Sequence, residues 1–430
     1  MTLELFTEFR RKQWRQIRAG GWPVLKGKAR LLLKRLRPLP VLIVTAPIVV
    51  IPVILIRLIR PWLLVRIGRL ESEAIGHFSL PPEIYLSEAD CGLHSTERNV
   101  VSIWYLHKVV CNKVLEEKWR HYFRIWSRHI WKPIDNLNRF IPGGKMNQVP
   151  YRYTQNNQNI DVYNALERTE PHLSFSEEED AAGSKAFQDM GIRESDLIVC
   201  FMVRDGAYRK EDPSGRTPSE RHRNSSVYLL APAMEELTEL GYKAVRMGKK
   251  VMETLETANP YIIDYACNGM RTDMLDLFVI SRCKFMVSTG TGVDLLAPTF
   301  RRPLVHVNIP QFGFVDQIGK SGIFSPKHFW SISEKRMLTF PEIFRLRAHL
   351  FTLHKHYQMN DIESVNNTPD EISDVISEME QRISGSWVSE PEDEELQNRF
   401  RAIWPPREAG RPLQPRIGTK FLRKHANLLG

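Results

Sequence analysis

Through the middle of the chain, apolar residues fall in short runs punctuated by glycine and polar residues. That pattern predicts strands alternating with helices. Phe285-Met-Val287 reads as a buried strand, Ser288-Thr-Gly-Thr-Gly292 as a turn, Val293 to Ala297 as a short helix stopped by Pro298, and Pro303 to Ile309 as a second strand. Strand, turn, helix, strand is a βαβ unit and implies a parallel sheet. Upstream the spacing predicts strands over Asp196 to Arg204, Tyr242 to Met247 and Tyr261 to Tyr265, with helices over Ser226 to Leu240 and Met270 to Cys283. The set makes a doubly wound α/β sheet. Downstream, helices are expected near 341–351, 370–383 and 391–403. The segment from Pro405 to the end, rich in Pro and Arg, is expected to lie over the surface.

Closer to the N-terminus, residues 39–56 carry no charge and reach the lower length limit for crossing a bilayer. Pro40, Pro47 and Pro52 argue against a straight helix and favour a re-entrant or in-plane anchor; two buried strands of a soluble sheet is the alternative. A strand ending in Arg66-Ile-Gly68 then leads into a helix containing His77, and Val100 to Leu106 follows as a strand. The Trp- and His-rich sequence after it (Trp119, His121, Trp126, His129, Trp131) has amphipathic helical spacing. Residues 141–180, including Ser176-Glu-Glu-Glu-Asp180, read as an exposed connection. The expected domains are a basic arm and hydrophobic membrane-associating segment (1–60), an N-terminal α/β domain with linker (61–180), a C-terminal α/β domain (190–360), and C-terminal helices with a basic tail (361–430).

The formal charge of +10 is unevenly placed. Residues 1–70 hold 15 Lys or Arg against Glu4 and Glu8, so the remainder is slightly acidic. Basicity confined to an arm points to an anionic membrane surface and away from a nucleic-acid groove. The five cysteines are scattered and form no CxxC pair, which fits reduced, buried thiols and no zinc site.

Charged groups gather at the predicted carboxyl ends of the strands: Arg204-Asp205, Arg246-Met-Gly248, Asp264-Tyr265 and Ser288-Thr289-Gly290. In a parallel sheet these ends share one edge. Guanidinium forks and the free N–H groups of a glycine-rich helix start can hold a diphosphate without metal. The turn at 288–292 fits ordinary helix capping equally well. Arg221-His-Arg-Asn224 is placed to close over the edge. Asp273 and Asp276 share a helix face, with Thr272 as the expected cap. His306 reads as a core histidine. The chain lacks an Asp-x-Asp pair, GxxxxGK[ST] and HExxH, so metal-dependent transferase, P-loop and zinc-protease readings have no support.

These motifs resemble a family of bacterial glycosyltransferases encoded with surface-polysaccharide genes, whose core is similar to a GT-B fold. The matching residues are Arg66-Ile-Gly-Arg-Leu70, Val203-Arg-Asp-Gly-Ala-Tyr208, Arg223-Asn224, Gly241 to Gly248, Ile263-Asp-Tyr-Ala266, Asp273-Met-Leu-Asp-Leu-Phe278, Ser288 to Asn308 and Phe421-Leu-Arg423. Thr291-Gly292 stands where relatives carry Ser-Gly, and Arg69 stands where a His is expected. The resemblance implies two Rossmann-like (GT-B-type) domains and a metal-independent enzyme without cofactor. It would move a sugar from a nucleotide-sugar donor to a glycan or lipid-linked glycan at the cytoplasmic face of the inner membrane. Donor binding would fall to Arg204, Arg223, Asn224, Arg246, Gly248, Asp264 and Ser288, Thr289, Gly290, Thr291, Gly292. Catalysis would use His77 and Asp205, and the acceptor side Arg66 and Gly68. The alternative is a non-catalytic nucleotide- or sugar-binding scaffold of a membrane assembly.

Overall fold

The computed structural model describes residues 39–94, 99–150, 160–207, 220–406 and 413–430, with side chains from residue 47 onward. The basic arm (1–38), the Asn/Gln run at 155–159 and Tyr208 lie outside the described residues. The first elements are α1 (Leu39–Leu58), β1 (Leu63–Leu70), α2 (Ile75–Asp90), β2 (Asn99–Leu106), α3 (Lys113–Arg120) and α4 (Arg128–Phe140). The chain divides into two compact units; the first comprises residues up to 68, 96–105 and 126–149, and the second the rest.

In the first unit α1 runs unbroken through Pro47 and Pro52, which corrects the expected break. A proline inside a helix costs about 3 kcal/mol or more, and packing of one face offsets it. Val49, Val53 and Ile56 are buried in a cluster with Val65, Ile67, Tyr105 and Ile134. The end of α1 is fastened as well. Arg57 donates to the Asn138 side chain and to the carbonyls of Ile141 and Pro142, and Arg60 donates to the Asn147 side chain and the Gly143 carbonyl. β1 and β2 form a sheet of two strands. Among the described residues, 61–180 thus hold two paired strands and not the Rossmann-like domain expected there. Two strands cannot stand alone, and here helices cover them. Among the described residues no helix is long and apolar enough to cross a membrane.

In the second unit the chain continues through α5 (Glu177–Asp189), β3 (Leu197–Met202), α6 (Ala231–Glu239), β4 (Tyr242–Met247), β5 (Ile262–Ile263), α7 (Asp273–Arg282), β6 (Phe285–Ser288), α8 (Leu296–Thr299), β7 (Leu304–Ile309), β8 (Ile323–Pro326), β9 (His328–Ser331), β10 (Arg336–Met337), α9 (Phe340–Arg345), α10 (His354–Met359), β11 (Ile362–Val365), α11 (Pro369–Ser384), α12 (Pro391–Ile403), β12 (Arg416–Ile417) and α13 (Thr419–Lys424). Seven strands form a sheet in the order β12-β8-β7-β6-β3-β4-β5, and every registered pair in it is parallel. The strands are short apolar runs because helices cover both faces of a parallel sheet. Three further strands make a small antiparallel sheet, β10-β9-β11.

Two expectations change here. Ser176 to Asp180 is no linker but the start of α5, with a capping box between Ser176 and Glu179 and acids in the first turn, where the helix dipole favours them. The C-terminal segment is also no surface wrap. β12 extends the main sheet, and Ile417, Phe421 and Leu422 are buried.

Candidate active site

Sheet order places the candidate site. From β3 the chain goes to β4 and β5 on one side, then returns to β6 on the other, so the direction of winding reverses between β3 and β6. Crevices form at the carboxyl ends of strands where that happens. Register aligns Ser288 with Met202 and Met202 with Met247 across β6, β3 and β4. The residues just past them leave the sheet together, and there the molecule has a cavity of about 390 Å³. Strand-end segments supply Arg204, Asp205, Gly206, Gly248, Lys249 and Lys250. The turn after β6 supplies Thr291, Gly292 and Val293, and the start of α7 supplies Arg271, Asp273 and Asp276. A wall from earlier in the chain adds Glu73, His107, Cys111 and Asn112.

The turn after β6 is built differently from the expectation. A buried carboxylate, Asp294, organises it. It accepts from the Ser288 hydroxyl (2.7 Å) and the Thr291 N–H (2.8 Å), and His306 Nε2 lies 3.1 Å away. The Gly290 N–H donates to Ser288 Oγ and the Thr289 N–H to the Met202 carbonyl. The N–H groups of 289, 290 and 291 are thus used inside the protein and cannot hold phosphate. Beyond the turn, the chain makes a three-residue 3-10 turn and then the four-residue α8, which runs through Pro298. That is too little helix for a useful dipole. Gly290 has φ +81° and needs its glycine. The close-packing glycine is Gly76, at the start of α2: a Cβ added there would lie 2.7 Å from the Gly292 carbonyl oxygen, whereas one at Gly292 would meet only ordinary contacts.

Charges around the cavity are mostly engaged with one another. Arg271 reaches Asp273 (2.8 Å) and Asp276 (2.6 Å), and Lys249 lies 3.6 Å from Asp273. The buried Tyr265 hydroxyl donates to Asp276 at 3.0 Å. Burial works to lower the Arg271 pKa, but Asp276 and Asp273 outweigh it, so the guanidinium is held above its usual value and stays charged. Thr272 caps α7 through the Leu275 N–H, as expected. Burial pushes the Cys111 thiol up to about 12, which removes it as a nucleophile near neutral pH. His107 Nδ1 lies 3.4 Å from Glu73. Arg271 Nε and Thr291 Oγ1, buried atoms of cavity-lining residues, lack a hydrogen-bond partner among the described residues.

Of the residues expected from sequence, Arg204, Asp205, Gly248, Thr291 and Gly292 line the cavity. Asp205 does so as a brace, its carboxylate accepting from the N–H groups of Ala207 and Met252. Arg204 pairs with Glu220, and its own N–H donates to the Thr289 hydroxyl. Arg223 and Asn224 stand one layer behind: Arg223 donates to the Gly290 carbonyl, and the Asn224 carbonyl accepts from Lys327. Ser288, Thr289 and Gly290 shape the turn from inside.

Arg246 and Asp264 do not reach the cavity. Arg246 is 1% exposed and pairs with Asp264 at 3.0 Å, because it lies one register step inside the strand end. His77 is half-buried on α2 outside the cavity lining. Arg66 and Gly68 belong to the first unit. Gly68 is a packing glycine, since a Cβ there would lie 2.6 Å from the Trp104 ring. Sequence reading missed Arg271, Lys249, Lys250, Glu73 and His107. Only Arg271, directly before a cap residue at a helix start, carried a local signal.

One His/Glu grouping among the described residues has metal-ligand spacing: His328, Glu371 and His425. The Glu371 carboxylate already faces His425 Nε2 (2.6 Å) and His328 Nε2 (3.2 Å). It also accepts from the Thr368 N–H and lies 3.4 Å from the Lys424 ammonium. That arrangement is a hydrogen-bonded clamp holding α13 to α11 and β9.

No family model matches the chain, and no curated protein matches it. Among solved structures it is similar to the glycosyl transferase family 9 protein of Veillonella parvula (13% identity, TM-score 0.35, 61% of this chain and 85% of that one). It is also similar to E. coli ADP-heptose lps heptosyltransferase II (14%, 0.34, 61% and 90%) and to E. coli heptosyltransferase WaaC with ADP (10%, 0.26, 61% and 91%). Superpositions at this level carry no argument about the chemistry of this chain.

Proposed function

We propose that the cavity binds a nucleotide-sugar donor and that the protein is a glycosyltransferase acting on a glycan or lipid-linked glycan at the cytoplasmic face of a membrane. The observation that carries the reading is the cavity at the carboxyl edge of the sheet, lined by Arg204, Lys249, Lys250 and Arg271. The cations suit a diphosphate. Four segments of the family resemblance, around 203–206, 248, 273–276 and 291–292, meet at this one edge.

In this reading the donor's diphosphate lies against Arg271 and Lys249, which stabilise the charge that grows on it as the glycosidic bond breaks. These side chains do what a divalent cation does in other transferases, so EDTA should leave activity intact. In the same reading the Glu73–His107 pair, which lines the cavity, takes the proton from the acceptor hydroxyl. Incubation with a panel of nucleotide sugars tests the reading. Slow release of nucleoside diphosphate from one of them is expected, and Arg271→Ala should lower affinity for that diphosphate by about 1.5–3 kcal/mol. Binding without turnover would support the scaffold instead, and no binding of any nucleoside diphosphate would end both readings.

A further inference from the structure

Residues 47–58 of α1 present two opposite faces, and both are apolar. Val49, Val53 and Ile56, at helical spacing, are buried against β1, β2 and α4 of the first unit. Ile48, Ile51, Leu55 and Leu58, at spacings of three, four and three, form the other stripe, and each is more than half exposed (77, 59, 54 and 63%). Trp62, just past the helix, is 74% exposed. Such a contiguous apolar stripe is unfavourable to leave in water.

Charge decides what covers it. From Phe9 to Leu70 the chain carries 15 Lys or Arg and not one Asp or Glu. A second copy of the chain would carry the same excess of positive charge next to this stretch in sequence. A surface of anionic lipid is complementary in both respects, taking the apolar stripe into its acyl boundary and the cations at its headgroups, with a tryptophan at the level where the two meet.

The packed face decides how the helix meets the membrane. A spanning helix exposes its whole circumference to lipid, whereas this one is held along one side by the Val49, Val53 and Ile56 contacts. At its end Arg57 and Arg60 are hydrogen-bonded into the loop at 138–147. We infer that residues 47–62 lie in the plane of an anionic membrane surface, with Ile48, Ile51, Leu55, Leu58 and Trp62 as the inserted face and the first unit as the saddle that holds them there. The inference is independent of the donor cavity, because none of these residues lines it.

Flotation of the full chain with vesicles tests it. The protein should float with phosphatidylcholine vesicles containing phosphatidylglycerol, far less with phosphatidylcholine alone, and progressively less as salt is raised. The triple substitution Ile51→Asp, Leu55→Asp, Leu58→Asp touches only exposed positions. It should leave circular dichroism and melting temperature near wild type while lowering vesicle partitioning about tenfold or more. Equal flotation of the folded triple variant would overturn the inference. So would resistance of the wild type to alkaline carbonate extraction, which signifies a true span. A lipid-free dimer that the same three substitutions convert to monomer would also overturn it, assigning the face to a second copy.

Discussion

β3 and β4 lie side by side in parallel register, and each brings an arginine to the same half of the sheet, yet the two arginines do unrelated work. Arg204 lies two positions past the last residue of β3, lines the cavity and pairs with Glu220. Arg246 is the last but one residue of β4, opposite Phe201 in the ladder, and its guanidinium is sealed against Asp264. The edge is drawn at Met202 and Met247. One residue before that line the arginine is sealed in the core, and beyond it the arginine lines the cavity while paired with Glu220. A third cation, Lys327, adjoins the end of β8 but is turned inward to the Asn224 carbonyl and almost wholly buried. Position past a strand end is therefore not sufficient for a role in the cavity.

The largest effect should come from the buried arginine. Arg246→Met leaves the Asp264 carboxylate without its partner, and urea unfolding should show a loss of about 3–5 kcal/mol. Adding Asp264→Leu should restore much of it, since an apolar pair of similar volume can replace an ion pair with little loss. If Arg246→Met kept full stability and abolished nucleoside-diphosphate binding, the division between the two strands would fail.

The counterpart is Arg204→Gln. Calorimetry should show nucleoside-diphosphate affinity reduced by about 1.5–3 kcal/mol, with the unfolding midpoint close to wild type. Stability falling while affinity holds would make Arg204 a second structural arginine.

A third effect, and the sharpest on what strand-end burial does to a cation, is a pH dependence. Burial lowers the Lys327 pKa from 10.5 to about 8. Between those values the unfolded chain holds a proton that the folded chain has released, so stability rises with pH across that window by up to about 1.4 kcal/mol per unit. Below pH 8 the folded protein carries the full cost of a buried charge. Urea titrations from pH 8 to 10.5 should show the rise in wild type and a flatter curve in Lys327→Met. Parallel curves would mean that Lys327 is solvated as an ordinary lysine.

Much of the sheet was legible because its strands are buried on both faces. Tyr242 to Met247, bounded by Gly241 and Gly248, matches the observed strand at both ends. Helices 370–383 and 391–403 were equally plain, the first opened by Thr368, Pro369 and Glu371 in a capping box. The parallel ladder, and Arg204, Asp205 and Gly248 at its carboxyl edge, come from short-range pattern. Thr272 as a cap comes from the same kind of signal.

Tertiary structure alone decided the rest, because the deciding contacts join residues far apart in sequence. Whether Arg246 faced ligand or core depended on one step of register and on Asp264, eighteen positions along. The N–H groups of the turn at 289–291 were donors open to any acceptor until Asp294, Ser288 and Met202 took them. Glu73 and His107 reach the cavity through a wall that precedes the sheet by some hundred residues, at a distance no periodicity encodes. Pro47 and Pro52 remain helical because Val49, Val53 and Ile56 find apolar partners on β1, β2 and α4. Local sequence sets which conformations a segment prefers; burial against distant neighbours sets which preference is overridden.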